Sequence, residues 1–173
     1  MAERTPSQTV GPYFSMILPW TDGGKVAFAE AGSRIVIEGR VLDGAGAPID
    51  DALVETWQLS PAGNTPASSS GAAKPHGFGR VPTLPDGSFR IETSMPPGAA
   101  PCLEVTILAR GLMKPLHTRV YLAPEAKVRA EPLLAALATS PRLATLVAQP
   151  GAAGSYRWDV RLQGEGETVF FAA

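Results

Sequence analysis

Between Cys102 and Ala109 every second residue is apolar: Leu103, Val105, Ile107 and Ala109 take one side of an extended chain, and Glu104, Thr106 and Leu108 take the other. Leu116, Thr118, Val120 and Leu122 alternate in the same way against His117, Arg119 and Tyr121. Ile35, Ile37 and Val41 alternate against Arg34, Glu38 and Arg40, and Tyr156, Trp158, Val160 and Leu162 against Arg157, Asp159 and Arg161. Shorter strand-like runs are Ala52 to Leu59, Ser88 to Thr93 with Phe89 and Ile91 on one face, and Thr168 to Phe171. A period of two buries one face of a strand and cannot bury one face of a helix. The runs are separated by strong turn signals: Asp43-Gly44-Ala45-Gly46-Ala47-Pro48, Pro85-Asp86-Gly87 and Pro96-Pro97-Gly98. With 18 glycines and 17 prolines, the chain has no room for long helices. Six or seven short strands at turn-punctuated intervals predict an all-β, antiparallel β-sandwich.

Three segments fall outside that pattern. The opening stretch to about Ala31 carries Pro6, Pro12, Pro19, Gly11, Gly23 and Gly24, which predicts an extended arm rather than a helix or a central strand. It also holds Tyr13, Phe14, Met16, Ile17, Leu18 and Trp20, too much apolar surface for a solvated tail, so the arm is expected to dock. Ser60 to about Pro82 shows no periodicity and reads as a loop. About Glu131 to Gln149 is the one helical stretch, and Pro141 divides it into two short pieces, the second capped by Ser140. A chain of 173 residues fits one domain, with an arm over 1–31 and a sandwich over 34–173.

Charge and cysteine content exclude several functions. A net charge of −1 provides no field to recruit nucleic acid or an anionic membrane. No run of about 18 apolar residues is present to span a bilayer. Met1 to Gln8 lacks a basic stretch followed by an apolar core, so a cytoplasmic location is expected. The single cysteine, Cys102, can form neither an internal disulfide nor a thiolate metal site, and a buried structural thiol is its expected role. His76 stands in a Gly-rich loop near Ser68, Ser69 and Ser70, without the strand-turn-helix elbow that a serine nucleophile requires. Gly164-Glu-Gly-Glu167 has two carboxylates and no lysine, and reads as a turn rather than a phosphate cradle.

Four blocks, in order, resemble the α-subunit type of the protocatechuate 3,4-dioxygenases, a group of intradiol ring-cleaving dioxygenases. They are Thr5-Pro-Ser-Gln-Thr-Val-Gly-Pro-Tyr-Phe14; Glu55-Thr-Trp-Gln58; Leu108-Ala-Arg-Gly111 with Leu116-His-Thr-Arg119; and Arg161-Leu-Gln-Gly-Glu-Gly-Glu-Thr-Val-Phe-Phe171. Together they span nearly the whole chain. The resemblance implies a β-sandwich protomer that assembles with a β-type subunit into a hetro-oligomer, with the active site where the two meet. It also implies a non-haem Fe(III) centre that activates a small aromatic diol acid, protocatechuate, for attack by O2, giving 3-carboxy-cis,cis-muconate.

The resemblance implies that two tyrosinates and two histidines hold that iron in the β-type subunit, anionic oxygen and imidazole being suited to ferric iron. Carried onto this chain, the first tyrosine position lands near Thr65 and the second near Ala99 or Ala100, while the His-x-His pair lands on Cys102 and Glu104. No tyrosine lies between Tyr13 and Tyr121, and the chain has only two histidines, His76 and His117. Thiolate with carboxylate is a poor set for Fe(III). The expectation is therefore no metal site and no catalytic residue in this chain, with Fe(III) on the β-type partner.

The resemblance further implies that Thr9, Gly11, Pro12 and Tyr13 line the substrate cleft. Gly11 would let backbone approach a flat ring, Pro12 would offer a rigid apolar surface and Thr9 a hydrogen bond. Equally, these residues could anchor a subunit interface. Arg110 stands at a strand end before Gly111, where a guanidinium can hold a substrate carboxylate in two parallel hydrogen bonds or, alternatively, form an interface ion pair. His117, Arg119 and Tyr121 form a polar strand face that reads as an interface rather than a catalytic set. Two overall readings remain: a substrate-lining subunit, inactive alone, of an iron dioxygenase, or an orphan sandwich that serves as a binding or assembly module without redox chemistry.

Overall fold

The computed structural model describes residues 6–26, 33–64 and 77–172, which form two packed β-sheets with short helical segments at one side. In the first sheet β1 (Arg34–Leu42) pairs antiparallel with β4 (Ser88–Ser94). On its other side β1 runs parallel to β8 (Ser155–Arg157) and β9 (Val160–Arg161), and β8 in turn pairs with β7 (Gln149–Pro150). The second sheet is wholly antiparallel, in the order β3 (Phe78–Pro82), β2 (Leu53–Trp57), β5 (Cys102–Leu108), β6 (Leu116–Tyr121).

The sandwich expected from the alternation is the observed architecture, and the apolar faces named from sequence fill it. Ile35, Ile37, Val41, Phe89, Ile91, Trp158 and Val160 of the first sheet meet Val54, Leu103, Val105, Ile107 and Val120 of the second. Each such side chain contributes about 1.5–3 kcal/mol through burial. The run from Tyr156 to Leu162 is broken in its middle. The Trp158 N–H donates to Glu38 O at 2.8 Å, and Asp159 Oδ1 accepts from the Arg40 N–H at 2.9 Å, so one alternating stretch becomes two strands beside β1. Gly39 makes that crossing possible, because a Cβ there would lie 1.6 Å from the Trp158 carbonyl oxygen.

A second apolar cluster lies on the far side of β6: Tyr121, Ala123, Val128, Leu134, Leu143, Leu146 and Val169. The segment after β6 folds over this face as α2 (Glu125–Arg129) and two 3-10 turns, Pro132–Leu137 and Pro141–Leu146. Two helical pieces divided by Pro141 were expected. They are the tighter 3-10 form, and the Ser140 hydroxyl accepts from the Arg142 N–H as the cap reading requires. α2 itself was not foreseen, since only Val128 of its five residues is buried and no periodicity announces it.

Three expectations are corrected. The supposed loop from Ser60 to Pro82 ends in strand β3. Its inward positions are Gly79, where a Cβ would crowd Thr56 Oγ1 at 2.8 Å, and Val81, so a single apolar side chain marks that face and no alternation shows. The arm contains one helical turn, α1 (Phe14–Ile17), between Pro12 and Pro19, seated by the buried Phe14. The face of His117, Arg119 and Tyr121 is not an open polar surface, because Tyr121 is 1% exposed beneath the second cluster. At the C-terminus, Thr168 and Val169 are buried and Phe171 bridges to His117, so the apolar end packs under the second sheet without forming a full strand.

Candidate functional site

The arm is pinned along its second half and open along its first. Trp20 packs edge-on against Phe78 at 5.6 Å, and the Arg80 guanidinium lies 4.9 Å from the centre of the Trp20 ring. Arg80 is itself held by Glu55, whose Oε1 accepts from Nε at 2.7 Å. The backbone then locks to β3 and β4. The Arg80 N–H donates to Gly23 O at 2.9 Å, the Val26 N–H to Glu92 O at 2.8 Å and the Glu92 N–H to Gly24 O at 2.7 Å. A Cβ on Gly23 would sit 2.0 Å from Arg80 O, so the docking needs glycine. Before Leu18, Phe14 is buried, while Tyr13 is 64%, Met16 77% and Ile17 74% accessible.

Thr9, Pro12 and Tyr13 are exposed, and Gly11 is partly so. Gly11 has a φ of +87°, which an L side chain adopts only with strain, and nothing lies within 4 Å of the place a Cβ would occupy. The backbone turn thus requires glycine, while the space beside it is open.

Arg110 follows β5 in the turn closed by the Ala109 O to Leu112 N–H hydrogen bond, and Gly111, at φ +86°, reverses the chain behind it. The Arg110 side chain is exposed and donates from Nε to Asp51 Oδ2 at 2.6 Å. A cavity of about 240 Å³ is lined by Gln8 and Val10 of the arm and by Leu108, Ala109, Leu112, Lys114 and Pro115; Arg110, Thr9, Gly11, Pro12 and Tyr13 are not in its wall. The residues flanking Thr9 in the arm therefore share one cavity wall with the residues flanking Arg110, although more than 90 residues of chain separate them. Asp51 and Lys114 were not among the residues named from sequence. Asp51 could have been found from the register of β2 and β5. Lys114 carries no comparable signal.

At the other end of β5 the positions of the implied His-x-His pair are built differently. Cys102 lies opposite Tyr121, Glu104 opposite Arg119 and Thr106 opposite His117. Glu104 is ion-paired with Arg119, and Thr106 Oγ1 lies 3.2 Å from His117 Nδ1. Burial pushes the Cys102 thiol above the ordinary cysteine range, with the nearby Arg119 charge opposing and the Glu104 charge adding to the shift. Burial likewise raises Tyr121, and Arg119 close to its hydroxyl opposes that shift without outweighing it. For Arg119, burial acts to lower the value, yet Tyr121 and Glu104 outweigh it and hold the guanidinium above its usual range. One thiol kept protonated beside a carboxylate engaged by arginine does not fit ferric iron, which takes anionic oxygen and imidazole. Among the described residues no group of three or more His, Cys, Asp or Glu side chains could hold a metal ion. The positions near Thr65, and His76 with Ser68, Ser69 and Ser70, lie outside the described residues. No helix among the described residues is long and apolar enough to cross a membrane.

Comparisons with known proteins bear on this geometry. A family profile described as Dioxygenase matches residues 10–123. The protocatechuate 3,4-dioxygenase alpha chain of Burkholderia cepacia is 40% identical over 98% of this chain and 97% of its own length. The beta chain of the same name from Burkholderia cepacia is 40% identical over 40% of this chain and 32% of its own length. Among solved structures, the intradiol ring-cleavage dioxygenase of Tetranychus urticae superposes with a TM-score of 0.62 over 92% of this chain and 94% of that one, at 16% identity. Fold and sequence together lead to one conclusion: the chain belongs to the intradiol ring-cleaving dioxygenases, and within them to the protocatechuate 3,4-dioxygenase α-chain type.

Proposed function

We propose that this chain is the substrate-lining half of a two-subunit protocatechuate 3,4-dioxygenase. A β-type chain would hold Fe(III), and the isolated chain would be inactive. Thr9, Gly11, Pro12 and Tyr13 would form one wall of the substrate cleft and Arg110 would bind the carboxylate of protocatechuate. The ferric ion would supply the activation of the diol for attack by O2, and this chain's residues would orient the ring. Arg110 can do this as an exposed donor at a rigid strand end. Pro12 and Tyr13 present apolar surface against a flat ring, and Thr9 adds a hydroxyl.

The observation that carries this reading is the shared cavity, in which the arm meets the turn whose next residue along from Ala109 is the exposed Arg110. Tyr13, Met16 and Ile17 give the partner chain an apolar surface to cover. The limited identity to a beta chain supports a partner related in sequence. Co-expression with a β-type chain is expected to yield a co-purifying complex that absorbs visible light and opens the ring of protocatechuate, while this chain alone stays colourless and inactive. Failure to co-purify or to cleave the ring would overturn the proposal in favour of an assembly module without redox chemistry.

A further inference from the structure

Asp51 is the residue that decides which donors Arg110 can offer. The antiparallel register of β2 and β5 sets Leu53 opposite Leu108. Continued two residues past the ladder, it sets Ala52 opposite Ala109 and Asp51 opposite Arg110. The two members of the ion pair are unequal, with the Asp51 side chain 20% exposed and that of Arg110 68% exposed. The backbone next to Asp51 is also fixed. The Ala52 N–H donates to Thr83 Oγ1 at 3.0 Å, and the Thr83 N–H donates to Ala52 O at 2.9 Å. The carboxylate is the stationary partner and the guanidinium the one that reaches outward.

The bond engages Nε, the donor closest to the aliphatic stem. Among the described residues neither Nη1 nor Nη2 of Arg110 has a partner. A guanidinium is planar, so anchoring Nε sets the orientation of the whole fork and leaves its two terminal NH2 groups side by side for a second carboxylate. We propose that Asp51 is a positioning residue for substrate selection: by holding Arg110 at Nε it presents the Nη1/Nη2 edge to catechols that bear a carboxylate. The inference rests on the reading of Arg110 as the carboxylate-binding group, and it assigns to the pair, rather than to the arginine alone, the discrimination between carboxylated and plain catechols. Freed from Asp51, the arginine would retain its charge and lose its aim.

The test uses the complex with the β-type chain and two substrates, protocatechuate and catechol. Asp51→Ala is expected to raise the KM for protocatechuate roughly three- to tenfold, with kcat and the KM for catechol changed by less than about twofold. Asp51→Asn, which keeps an acceptor oxygen at the same place, is expected to fall between wild type and Asp51→Ala and guards against a folding defect in the alanine variant. In an Arg110→Ala background, Asp51→Ala should add no further loss. The proposal is overturned if Asp51→Ala and Asp51→Asn affect both substrates alike, if they lower the KM for protocatechuate by releasing a competitor, or if their effect adds to that of Arg110→Ala. An Arg110→Ala variant that loses both substrates equally would remove the carboxylate reading and this inference with it. An Arg110→Ala variant that discriminates, beside an Asp51→Ala variant that does not, would remove this inference alone.

Discussion

Strand β5 has two ends, and the molecule treats them in opposite ways. At its start, Cys102 and Glu104 lie against Tyr121 and Arg119, with the thiol protonated, the carboxylate paired and the phenol sealed under a second apolar cluster. At its finish, Arg110 stands exposed and, among the described residues, is tethered through Nε to Asp51, while its neighbours Leu108, Ala109 and Leu112 line an open cavity. The same backbone ladder carries both. At the first end the side chains satisfy one another and are covered. At the second they leave donors facing outward. A satisfied, buried end contributes to stability, and an under-satisfied, exposed end is where recognition of a ligand is gained.

The harshest way to break this contrast is to open the closed end. Leu146 is fully buried in the second cluster, and Leu146→Ala is expected to cost about 2–5 kcal/mol in urea unfolding. Water reaching the cluster should make Cys102 alkylate at a lower pH, because burial is the main cause of its raised value. A variant with unchanged stability would show that the cluster is not a true second core.

The open end is tested by Arg110→Ala in the complex. Losing one charge-assisted contact is expected to raise the KM for protocatechuate about tenfold, or about 1.4 kcal/mol, with the KM for catechol nearly unchanged. Stability should move little, since the side chain is exposed. Equal losses on both substrates would mean that the arginine supports the turn rather than the ligand.

How far the sequence reveals this contrast depends on what each end uses to build itself. Leu103, Val105 and Ile107 declare their faces through strict alternation, so the sandwich and its main core are readable from the chain. Arg110 is readable as an exposed residue because it directly follows that alternation and precedes a glycine. The closed end is not. Tyr121 sits on the polar side of the β6 pattern and is buried only because the 3-10 turns from Pro132 to Leu146 fold over it, a tertiary event with no local periodicity to betray it. β3 escapes for the converse reason, one of its two inward residues being Gly79 and leaving Val81 as the single apolar mark of that face. Asp51 is a middle case, hidden in a turn until the β2 and β5 register is known.

Alkaline pH tests the closed end more gently. In the unfolded chain Cys102 and Tyr121 titrate near their ordinary values of 9.0 and 10.0, and in the folded chain burial holds both above them. Above about pH 9 the folded state then binds more protons than the unfolded state, so stability must fall as pH rises. Both groups are neutral below that window and their contribution is complete there. Chemical denaturation from pH 7 to 10.5 should show the decline, and Cys102→Ala should remove its lower part. A flat profile would mean that the thiol is not buried in solution.

The smallest effect belongs to the ion pair between Glu104 and Arg119. Glu104 is half exposed and Arg119 less so, and an exposed pair of this kind is worth about 0.2–1 kcal/mol, so Glu104→Gln should barely shift the urea midpoint. Its informative readout is Cys102. After burial, the Arg119 charge lowers the thiol's value and the Glu104 charge raises it. Removing the negative charge should therefore move the pH profile of alkylation downward, while Arg119→Met should move it upward. Shifts of the same sign would show that the pair does not face the thiol. In the complex with a β-type chain, Cys102→Ala and Glu104→Gln should leave the visible absorption intact, since a protonated thiol and one arginine-paired carboxylate do not make up a donor set for ferric iron. Loss of colour in either variant would place a metal contact at the closed end of β5 and erase the distinction between its two ends.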